Sequence, residues 1–469
     1  MAKTLHKIIS LMYNNTYESW RFFYMRISKI ETNQKENKFL YAYEDMDYHY
    51  KLNQEESELI ILYPAITYQK VLGFGGAFTE SACYLISQLK PPVQEQLLQD
   101  YFSQEGLHYR FGRTHINSCD FSLDSYTYLN QENDLSQFDI KREEQYVIPT
   151  IQAAKTIQPD LQLLATPWSP PAFMKDNNSL YNGGKLLNTY KQLWADYIVQ
   201  YIKQFQSHQL SIQYVSIQNE PNAAQAWESC QYTPKEEASF IENYLLPNFK
   251  FYNIPSKILV WDHNKERIVY RINAMYKNKT IGDLIDGVAY HYYSGDHFNN
   301  LKILKDLCPE LLLIHTEGCT GYAKPNKKND VTQAEIYAHD IIGDFNHGAN
   351  AYIDWNLVLD SEGGPNHMHN YCNAPIMLNK SGKKYSKRMP YYYIGHFSKY
   401  IQYQAHNIAY SSYTDKIEVS AFKNPDNSIV VILLNRNDDD LNFKINIKEY
   451  LYVDQIPKHS IITLLIHMD

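Results

Sequence analysis

The segment LQLLATPW, residues 161–168, is a short apolar run that ends in proline and tryptophan. It is followed by YKQLWADYIVQYIKQFQ at 190–206, whose apolar residues recur at helical spacing, and then by a second apolar run, QYVSIQNE at 213–220. A buried strand, a helix and another buried strand in this order predict a βαβ unit with parallel strands. The repetition of this unit along the chain decides the fold.

The same alternation begins at Gly73 and continues to residue 356. The eight predicted strands are GFGGAFTE (73–80), HYRFGRTHI (108–116), LQLLATPW (161–168), QYVSIQNE (213–220), KILVWDH (257–263), GVAYHYY (287–293), LLLIHTE (311–317) and AYIDWN (351–356). A predicted helix at 234–250 opens with Thr233 as its N-cap and Pro234 in its first turn. Eight strands that alternate with helices over roughly 330 residues match a (β/α)8 barrel.

Both chain ends are typical of β structure. Residues 1–71 contain short β-prone pieces separated by polar turns, and residues 403–469 return to apolar and polar alternation with Asp, Asn and Pro turns. A last helix, YYYIGHFSKYI at 391–401, closes the barrel. We therefore predict an α/β protein with a catalytic (β/α)8 TIM barrel at 72–402. A single β-sandwich is built from both chain ends, 1–71 and 403–469.

The composition excludes several classes of function. The 469 residues carry 44 Lys and Arg against 52 Asp and Glu, a formal charge of −8, so the basic footprint of a nucleic-acid-binding protein is absent. The longest apolar run, 59–66, is too short to span a bilayer, and no signal-peptide cleavage site follows the N-terminus. We expect a cytoplasmic protein, or one exported by a non-classical route. Six scattered cysteines indicate free thiols rather than a disulfide framework or a zinc ribbon.

The C-terminal ends of the eight strands carry the side chains that a barrel enzyme uses. Glu220 and Glu317 end the fourth and seventh strands, and we expect them to meet across the barrel mouth. Paired carboxylates in an aromatic-lined pocket suit cleavage of a glycosidic bond. For either glutamate alone, a structural salt bridge is the alternative reading. The other strand-end residues are Phe78, Thr79, Glu80, Arg113, His115, Trp168, Asn219, Asp262, His263, His291, Tyr292, Tyr293, Asp354, Trp355 and Asn356.

An ordered set of motifs identifies a family. The matching strings are GFGGAFTESA (73–82), SCDFS with YTY (118–128), ATPWSPPAFMK (165–175), QNEP (218–221), HTEGC (315–319), DWNLVLDSEGGPN (354–366) and GHFSKYI (395–401). From about Gly73 to Lys399 the chain resembles glycoside hydrolase family 30, and within it the glucosylceramidase branch. An isolated NEP motif would be weak, whereas this ordered set is highly specific.

The resemblance implies a retaining, double-displacement mechanism with Glu220 as acid/base and Glu317 as nucleophile, without metal or organic cofactor. In such enzymes the two carboxyl groups lie about 5 to 5.5 Å apart. Because Glu220 must be protonated near the working pH, we expect its pKa to be raised by a partly apolar environment and by the charge of Glu317.

The resemblance also implies a set of sugar contacts. Asn219 is similar to the asparagine that binds the sugar 2-hydroxyl, and Arg113 to the arginine that orients the nucleophile. Phe121 lies beside Asp120 and is expected at the pocket entrance, although simple packing is the alternative for Phe121 and for Tyr293. The implied glucose ligands are Asp120, Trp168, Trp355 and Asn370, with His291 and Tyr293 lining the site.

Two departures from the family pattern affect the aglycone side. Tyr292 stands where glucosylceramidases usually have Trp, and His367 replaces an aromatic residue in the loop after the eighth strand. The prediction is hydrolysis of β-glucosylceramide to glucose and ceramide, with the glucose preference more firmly implied than the ceramide preference. A glycolipid substrate further implies transient contact with a membrane surface, through exposed aromatic residues in the loops after strands seven and eight.

Three alternative functions stay open at the level of sequence. One is another family 30 activity, such as a β-xylosidase, a β-1,6-glucanase or a transglucosidase that passes glucose to a sterol. The second is a metal-dependent barrel hydrolase using His115, His263, His291 and Asp262, which the absence of HxH and HExxH motifs disfavours. The third is a catalytically dead sugar- or lipid-binding protein, which the two intact glutamates disfavour.

Overall fold

The computed structural model of the protein describes residues 25–48, 56–129, 135–277, 283–321 and 329–468. The described N-terminal residues form four strands. These are β1 (Met25–Asn33), β2 (Lys38–Ala42), β3 (Met46–Tyr48) and β4 (Leu59–Lys70). The β-prone residues predicted before position 25 lie outside the described residues.

Eight parallel strands then close a barrel, in the order β5 to β12 around the ring. They are β5 (Gly73–Ala77), β6 (Phe111–Ile116), β7 (Gln162–Pro167), β8 (Tyr214–Ser216), β9 (Lys257–Asn264), β10 (Gly287–His291), β11 (Leu312–Glu317) and β12 (Ala351–Asn356). Each lies within or closely overlaps a predicted run, so the predicted barrel is confirmed. The strand β8 is the shortest, and Glu220 therefore lies in the turn beyond it rather than in the strand.

Helices connect the barrel strands on the outside. They are α1 (Glu80–Ser87), α2 (Pro91–Phe102), α3 (Lys141–Gln145), α4 (Val147–Ile157), α5 (Lys191–Ser207), α6 (Pro234–Phe240), α7 (Leu246–Phe251), α8 (Ile268–Tyr276), α9 (Phe298–Leu307), α10 (Asp330–Asn346) and α11 (Met389–Ser398), with short 3-10 turns at Leu135–Gln137, Ala172–Met174, Asn188–Tyr190 and Lys265–Arg267. The predicted helix at 234–250 is α6 and α7, joined by a π-helical turn at Ile241–Leu245. Its predicted cap is confirmed, because Thr233 and Glu236 form a reciprocal capping box.

Small residues let the first two barrel strands approach each other. A Cβ at Gly75 would lie 2.1 Å from the carbonyl oxygen of Phe111, and one at Gly112 would lie 2.4 Å from the ring of Phe78. Both distances are well inside van der Waals contact, so any larger residue would push β5 and β6 apart. The barrel interior is instead filled by side chains from successive strands, Phe111, Leu164, Tyr214, Leu259, Ala289, Ile314, Ala351 and Ile353.

The remaining strands form a small sheet and the sandwich. The small sheet contains β13 (Val358–Leu359), β14 (Ile376–Leu378) and β15 (Tyr385–Lys387), and the sandwich adds β16 (His406–Ser412), β17 (Glu418–Lys423), β18 (Ile429–Asn435), β19 (Leu441–Ile447), β20 (Tyr450–Ile456) and β21 (Ser460–Met468). The sheet order is β2-β1-β21-β18-β17-β16-β4-β19-β20, with β3 on β1. Strands from both chain ends alternate in this order, which confirms the predicted sandwich.

The strand β18 explains how the sandwich is attached to the barrel. All seven of its residues are buried, because successive side chains point to opposite faces of a strand. Val430, Ile432 and Leu434 join the core that continues into the barrel, whereas Ile429, Val431 and Leu433 face the sandwich core. This is why SIVVILLN reads as an unbroken apolar run rather than as an alternating one.

In the described part of the chain, no helix combines the length and the apolar character needed to cross a membrane. All six cysteines are free thiols; five are buried and Cys308 is half-buried.

Candidate active site

Glu317, the last residue of β11, is held through both carboxylate oxygens. Arg113 of β6 donates from Nη1 to Oε2 at 2.5 Å, and the hydroxyl of Tyr293 donates to Oε1 at 2.9 Å. Donors on both oxygens fix the direction in which the carboxylate points. This is the arrangement that a carboxylate nucleophile needs.

Arg113 connects Glu317 to the neighbourhood of the second glutamate. Its Nη2 donates to Oδ1 of Asn219 at 2.9 Å and to Oδ2 of Asp262 at 3.0 Å. Its guanidinium also faces the rings of Trp168 and Trp355, at 4.8 and 5.5 Å from their centroids. Arg113 is fully buried, and its charged, polar and aromatic partners hold the guanidinium in one position. It therefore links the ends of several barrel strands.

Glu220 lies in the turn after β8 with a left-handed backbone, at φ 48°. Its amide donates to the carbonyl of Asp262 at 2.9 Å, which anchors the turn on β9. Its Oε1 lies 3.4 Å from Nδ1 of His291 and 3.9 Å from Nε2 of His263, and its Oε2 accepts from Nε2 of Gln225 at 3.0 Å. Both oxygens of the predicted acid therefore face potential hydrogen-bond donors.

The prediction of a raised Glu220 pKa is wrong for the protein without substrate. Burial raises this pKa, but the hydrogen bond from His291, the charges of His263 and His291 and the hydrogen bond from Gln225 outweigh it and lower the pKa to about 2. The prediction considered only the apolar environment and the charge of Glu317. It missed two imidazoles that the chain brings from the next two strands.

His291, at the end of β10, lies between the two glutamates. Besides its contact with Glu220, its Nε2 lies 3.0 Å from Oδ1 of Asp262 and 4.0 Å from Oε2 of Glu317. Burial lowers its pKa, yet the charges and hydrogen bonds of these three carboxylates raise it to about 9. One imidazolium ring thus contacts both glutamates, which places them in one site. The expected separation of about 5 to 5.5 Å between their carboxyl groups stays a prediction.

Aromatic side chains form the wall behind this polar network. The rings of Trp168 and Trp355 are stacked with centroids 5.6 Å apart, and Phe121 meets Trp355 edge-on at 5.9 Å. Phe121 is completely buried, so it packs behind the tryptophan. Burial and the charges of neighbouring glutamates raise the pKa of Asp120. Nδ2 of Asn370 is buried without a hydrogen-bond partner among the described residues, as expected for an amide that hydrogen-bonds a ligand.

Sequence reasoning left three neighbours of the glutamates out of the site. Asp262 and His263 end β9, and their position at a strand end was the available signal, although they were considered only as metal ligands. Gln225 lies in the loop after β8, where neither periodicity nor a motif marks it. Its contact with Glu220 depends on the folded path of that loop.

The described residues do not favour a metal centre at the predicted positions. His115 is engaged elsewhere, because its Nε2 accepts from the amide of Glu80 at 3.1 Å and its Nδ1 lies 2.8 Å from the carbonyl of Asn117. Within the described ranges, the group with metal-ligand spacing is His315, Asp340 and Asp344 on the outer side of β11. Nζ of Lys265 already contacts both of these aspartates, at 2.5 and 3.0 Å, so a cation occupies that position.

A cavity of about 860 Å³ lies at the opposite end of the barrel. It is lined by Leu312 and Asn350, at the N-terminal ends of β11 and β12, and by sandwich residues such as Tyr68 and Tyr410. None of the strand-end residues considered above lines it. The chemistry of the barrel mouth, rather than cavity size, therefore locates the candidate active site.

Comparison with known proteins gives the same family for both domains. Residues 71–401 match the glycosyl hydrolase family 30 TIM-barrel domain, and residues 404–464 match the family 30 β-sandwich domain. Putative glucosylceramidase 4 of Caenorhabditis elegans is 31% identical over 85% of this chain and 81% of its own. The lysosomal acid glucosylceramidase of Mus musculus is 30% identical over 87% and 83%.

Solved structures show the same architecture. SrfJ from Salmonella typhimurium superposes with a TM-score of 0.90 at 34% identity, covering 94% of this chain and 99% of that one. An endo-β1,6-glucanase superposes with a TM-score of 0.84 at 26% identity, with the same coverage. Proteins with this fold and this degree of similarity thus include more than one named glycosidase activity.

Proposed function

The chain belongs to glycoside hydrolase family 30, and on that premise we propose that it is a retaining β-glucosidase that cleaves β-glucosylceramide to glucose and ceramide. The observation that carries the proposal is the position of His291, whose ring contacts both Glu220 and Glu317. Two carboxylates joined in this way, with tryptophans beside them, match the needs of double displacement on a sugar.

In the first step, a carboxylate oxygen of Glu317 attacks the anomeric carbon, and Glu220 gives a proton to the departing oxygen. Arg113 and Tyr293 hold the nucleophile in its direction of attack. In the second step, Glu220 takes a proton from water, which attacks the glycosyl ester and releases glucose with its configuration retained. Metal ions and organic cofactors take no part.

His291 can supply the proton that Glu220 needs. Without substrate, the pKa values assign the charge to Glu220 and the proton to His291, whose Nδ1 lies 3.4 Å from Oε1. A bound sugar excludes water, which disfavours a charged Glu220 and favours transfer of that proton to its carboxylate. The pair then titrates as one unit with shared apparent pKa values.

The glucosylceramide preference rests on the names of the relatives, and the endo-β1,6-glucanase structure favours a second candidate, hydrolysis of β-1,6-linked glucan. Tyr292 and His367, where the chain departs from the family pattern, are compatible with either activity.

A glycolipid substrate also requires contact with a lipid surface. The exposed large apolar side chains of the described residues include Tyr68 and Phe251, and none lies in the loop after β12. Residues 322–328 of the loop after β11 lie outside the described residues, so the contact through these loops stays a prediction.

The test is product analysis with glucosylceramide, galactosylceramide and a β-1,6-linked glucan side by side. We expect release of glucose from glucosylceramide at the highest kcat/KM. Proton NMR of an aryl β-glucoside reaction should show β-glucose as the first product. Faster cleavage of the glucan would favour the second candidate, and α-glucose as the first product would contradict the retaining mechanism.

A further inference from the structure

An ion pair between half-buried His367 and buried Glu228 joins three loops around the barrel mouth. His367 lies in the loop after β12, and its Nε2 is 3.2 Å from Oε1 of Glu228 in the loop after β8. The same oxygen accepts hydrogen bonds from the hydroxyls of Ser118 and Ser125, at 2.6 and 2.7 Å, in the loop after β6. The Nδ1 of His367 lies 2.9 Å from the carbonyl oxygen of Ser122 in that loop. One histidine therefore contacts both of the other loops.

The surroundings of His367 favour its protonated form. A carbonyl oxygen faces one ring nitrogen and a carboxylate faces the other, and both of these groups only accept. A neutral imidazole has a single N–H, so it would turn a lone pair toward one acceptor, whereas an imidazolium presents an N–H to both. The Nε2 contact is an ion pair rather than an aligned hydrogen bond, which makes its strength depend on the charge.

The charges that face this ring act in the same direction. Burial lowers the pKa of His367, but Glu228 from the loop after β8, together with the Ser122 carbonyl and the charge of Asp120 from the loop after β6, raises it. Burial raises the pKa of Glu228, and His367 with the two serine hydroxyls lowers it. Glu228 is 1% exposed, so its charge has little solvent to compensate the loss of the imidazolium.

The bridged loops carry predicted sugar ligands. Asp120 lies between Ser118 and Ser122, two of the three residues of the β6 loop that the bridge contacts. Asn370 lies three residues after His367, and this short segment is braced internally, because Asn366 accepts from the Asn370 amide at 2.9 Å and donates to its carbonyl at 2.7 Å. The bridge consequently connects the loop that carries Asp120 to the loop that carries Asn370.

We propose that protonated His367 is a positioning residue that holds Asp120 and Asn370 at the spacing of one bound sugar, so that the protein binds its glucoside more weakly once His367 loses its proton. The inference rests on the proposed function in one respect, which is that the sugar is a β-glucoside. The competing explanation is a structural ion pair, which would change the melting temperature without changing the pH dependence of sugar affinity.

The experiment compares the wild-type protein with His367→Gln, His367→Arg and Glu228→Gln between pH 5 and 9. Phenyl 1-thio-β-D-glucoside, which is neutral and not hydrolysed, serves as the probe, and its inhibition constant is measured beside kcat and KM for an aryl β-glucoside. His208→Gln is the matched control, because His208 pairs with Glu144 at 3.1 Å on the outside of the barrel.

We expect the His367→Gln protein to bind the probe about tenfold more weakly than the wild type at low pH. The ratio of the two inhibition constants should fall to one at the pH where wild-type His367 is deprotonated, because the wild type then also lacks the cation. Groups that titrate in both proteins cancel in this ratio. His367→Arg keeps a cation that does not titrate and should retain tight binding across the range. KM should change more than kcat, and the His208→Gln control should match the wild type.

Histidine NMR of the wild type, assigned by the signal lost in His367→Gln, supplies a measurement that does not depend on the stability of a variant. The midpoint of the His367 titration should coincide with the midpoint of the inhibition constant. A ratio that is constant with pH, or midpoints more than one pH unit apart, would overturn the inference while leaving glucoside cleavage intact. If the wild type neither binds nor cleaves any glucoside, the proposed function fails as well.

Discussion

The barrel mouth and the seam between barrel and sandwich each bury a histidine completely, with opposite results. In the seam, His396 of α11 lies 2.8 Å from the hydroxyls of both Thr463 and Thr32, and burial lowers its pKa to about 3. In the mouth, burial also lowers the pKa of His291, but surrounding carboxylates raise it to about 9. Burial does not by itself decide the charge of a histidine; the partners that the fold supplies decide it.

The two regions also differ in what they contribute. The seam joins α11 to β1 and β21 with neutral, satisfied hydrogen bonds, so it stabilises the attachment of the sandwich. The mouth buries Arg113 and Asp262 as an ion pair, and such pairs contribute little net stability compared with apolar packing. Changes in the mouth should therefore alter turnover more than stability, and changes in the seam should do the opposite.

Glu317→Gln tests the mouth with the largest expected effect. The amide has the shape of the carboxylate but cannot form the glycosyl ester, so kcat for an aryl β-glucoside should fall about 10⁴-fold or more. Arg113 keeps Asp262 as a partner, so the melting temperature should stay near the wild-type value. Glu335→Gln is the control, because Glu335 is a buried glutamate of α10 that pairs with His459 outside the mouth. Substantial turnover by Glu317→Gln would remove this residue from the nucleophile role.

Glu220→Ala should have a smaller effect that depends on the leaving group. General acid catalysis contributes about 10² to 10⁴-fold, and an activated aryl leaving group needs little of it. We expect a large loss with an alkyl glucoside, a small loss with a dinitrophenyl glucoside, and partial rescue of the latter by azide with retained configuration. Kinetics with both substrates check this. Equal losses for the two leaving groups would contradict the acid/base role.

The sequence predicted the barrel and much of the candidate site, because strand ends and motifs are local features. Eight apolar runs predicted the barrel strands, Glu317 stood in a motif at a strand end, and the role of Arg113 was implied by the family resemblance. The pKa of Glu220 was predicted wrongly because it depends on His263 and Gln225, which reach its carboxylate only through the left-handed turn after β8. The hydroxyl pair around His396 was equally invisible, since Thr32 and Thr463 belong to opposite ends of the chain.

His396 provides the test of the seam. Because its pKa in the fold is about 3 and its ordinary value is 6.5, the unfolded chain binds the additional proton below pH 6.5. Its contribution to stability is complete above pH 6.5 and is lost as the pH falls toward 3. Relative to pH 7, the wild type should lose about 2 to 3 kcal/mol more at pH 4.5 than His396→Gln, which does not titrate.

Urea unfolding of both proteins at the two pH values measures this difference, and groups other than His396 cancel in the comparison. Turnover by His396→Gln at pH 7 should lie within about twofold of the wild type, since the seam is remote from the glutamates. A parallel loss of stability in both proteins would show that His396 is charged in the fold, and the contrast with His291 would disappear.

Gln225→Leu should have the smallest effect of these substitutions. It tests one hydrogen-bond partner of Glu220 separately from the two histidines. Nε2 of Gln225 donates to Oε2 of Glu220 at 3.0 Å and so favours the ionised carboxylate. Its removal should raise the apparent pKa of the pair formed by Glu220 and His291 by up to about one unit. The alkaline limb of kcat/KM for an alkyl glucoside, which requires a proton on this pair, should move to higher pH by that amount.

A dinitrophenyl glucoside should show no such shift for Gln225→Leu, because its leaving group departs without a proton. An equal shift with both substrates would show that the alkaline limb does not report the proton given to the leaving group, which would contradict its assignment to this pair. A shift to lower pH would mean that the amide favours the protonated acid. No shift with either substrate would mean that the imidazoles alone set the charge in the mouth, whereas the expected rise shows a contribution from the single hydrogen bond of Gln225.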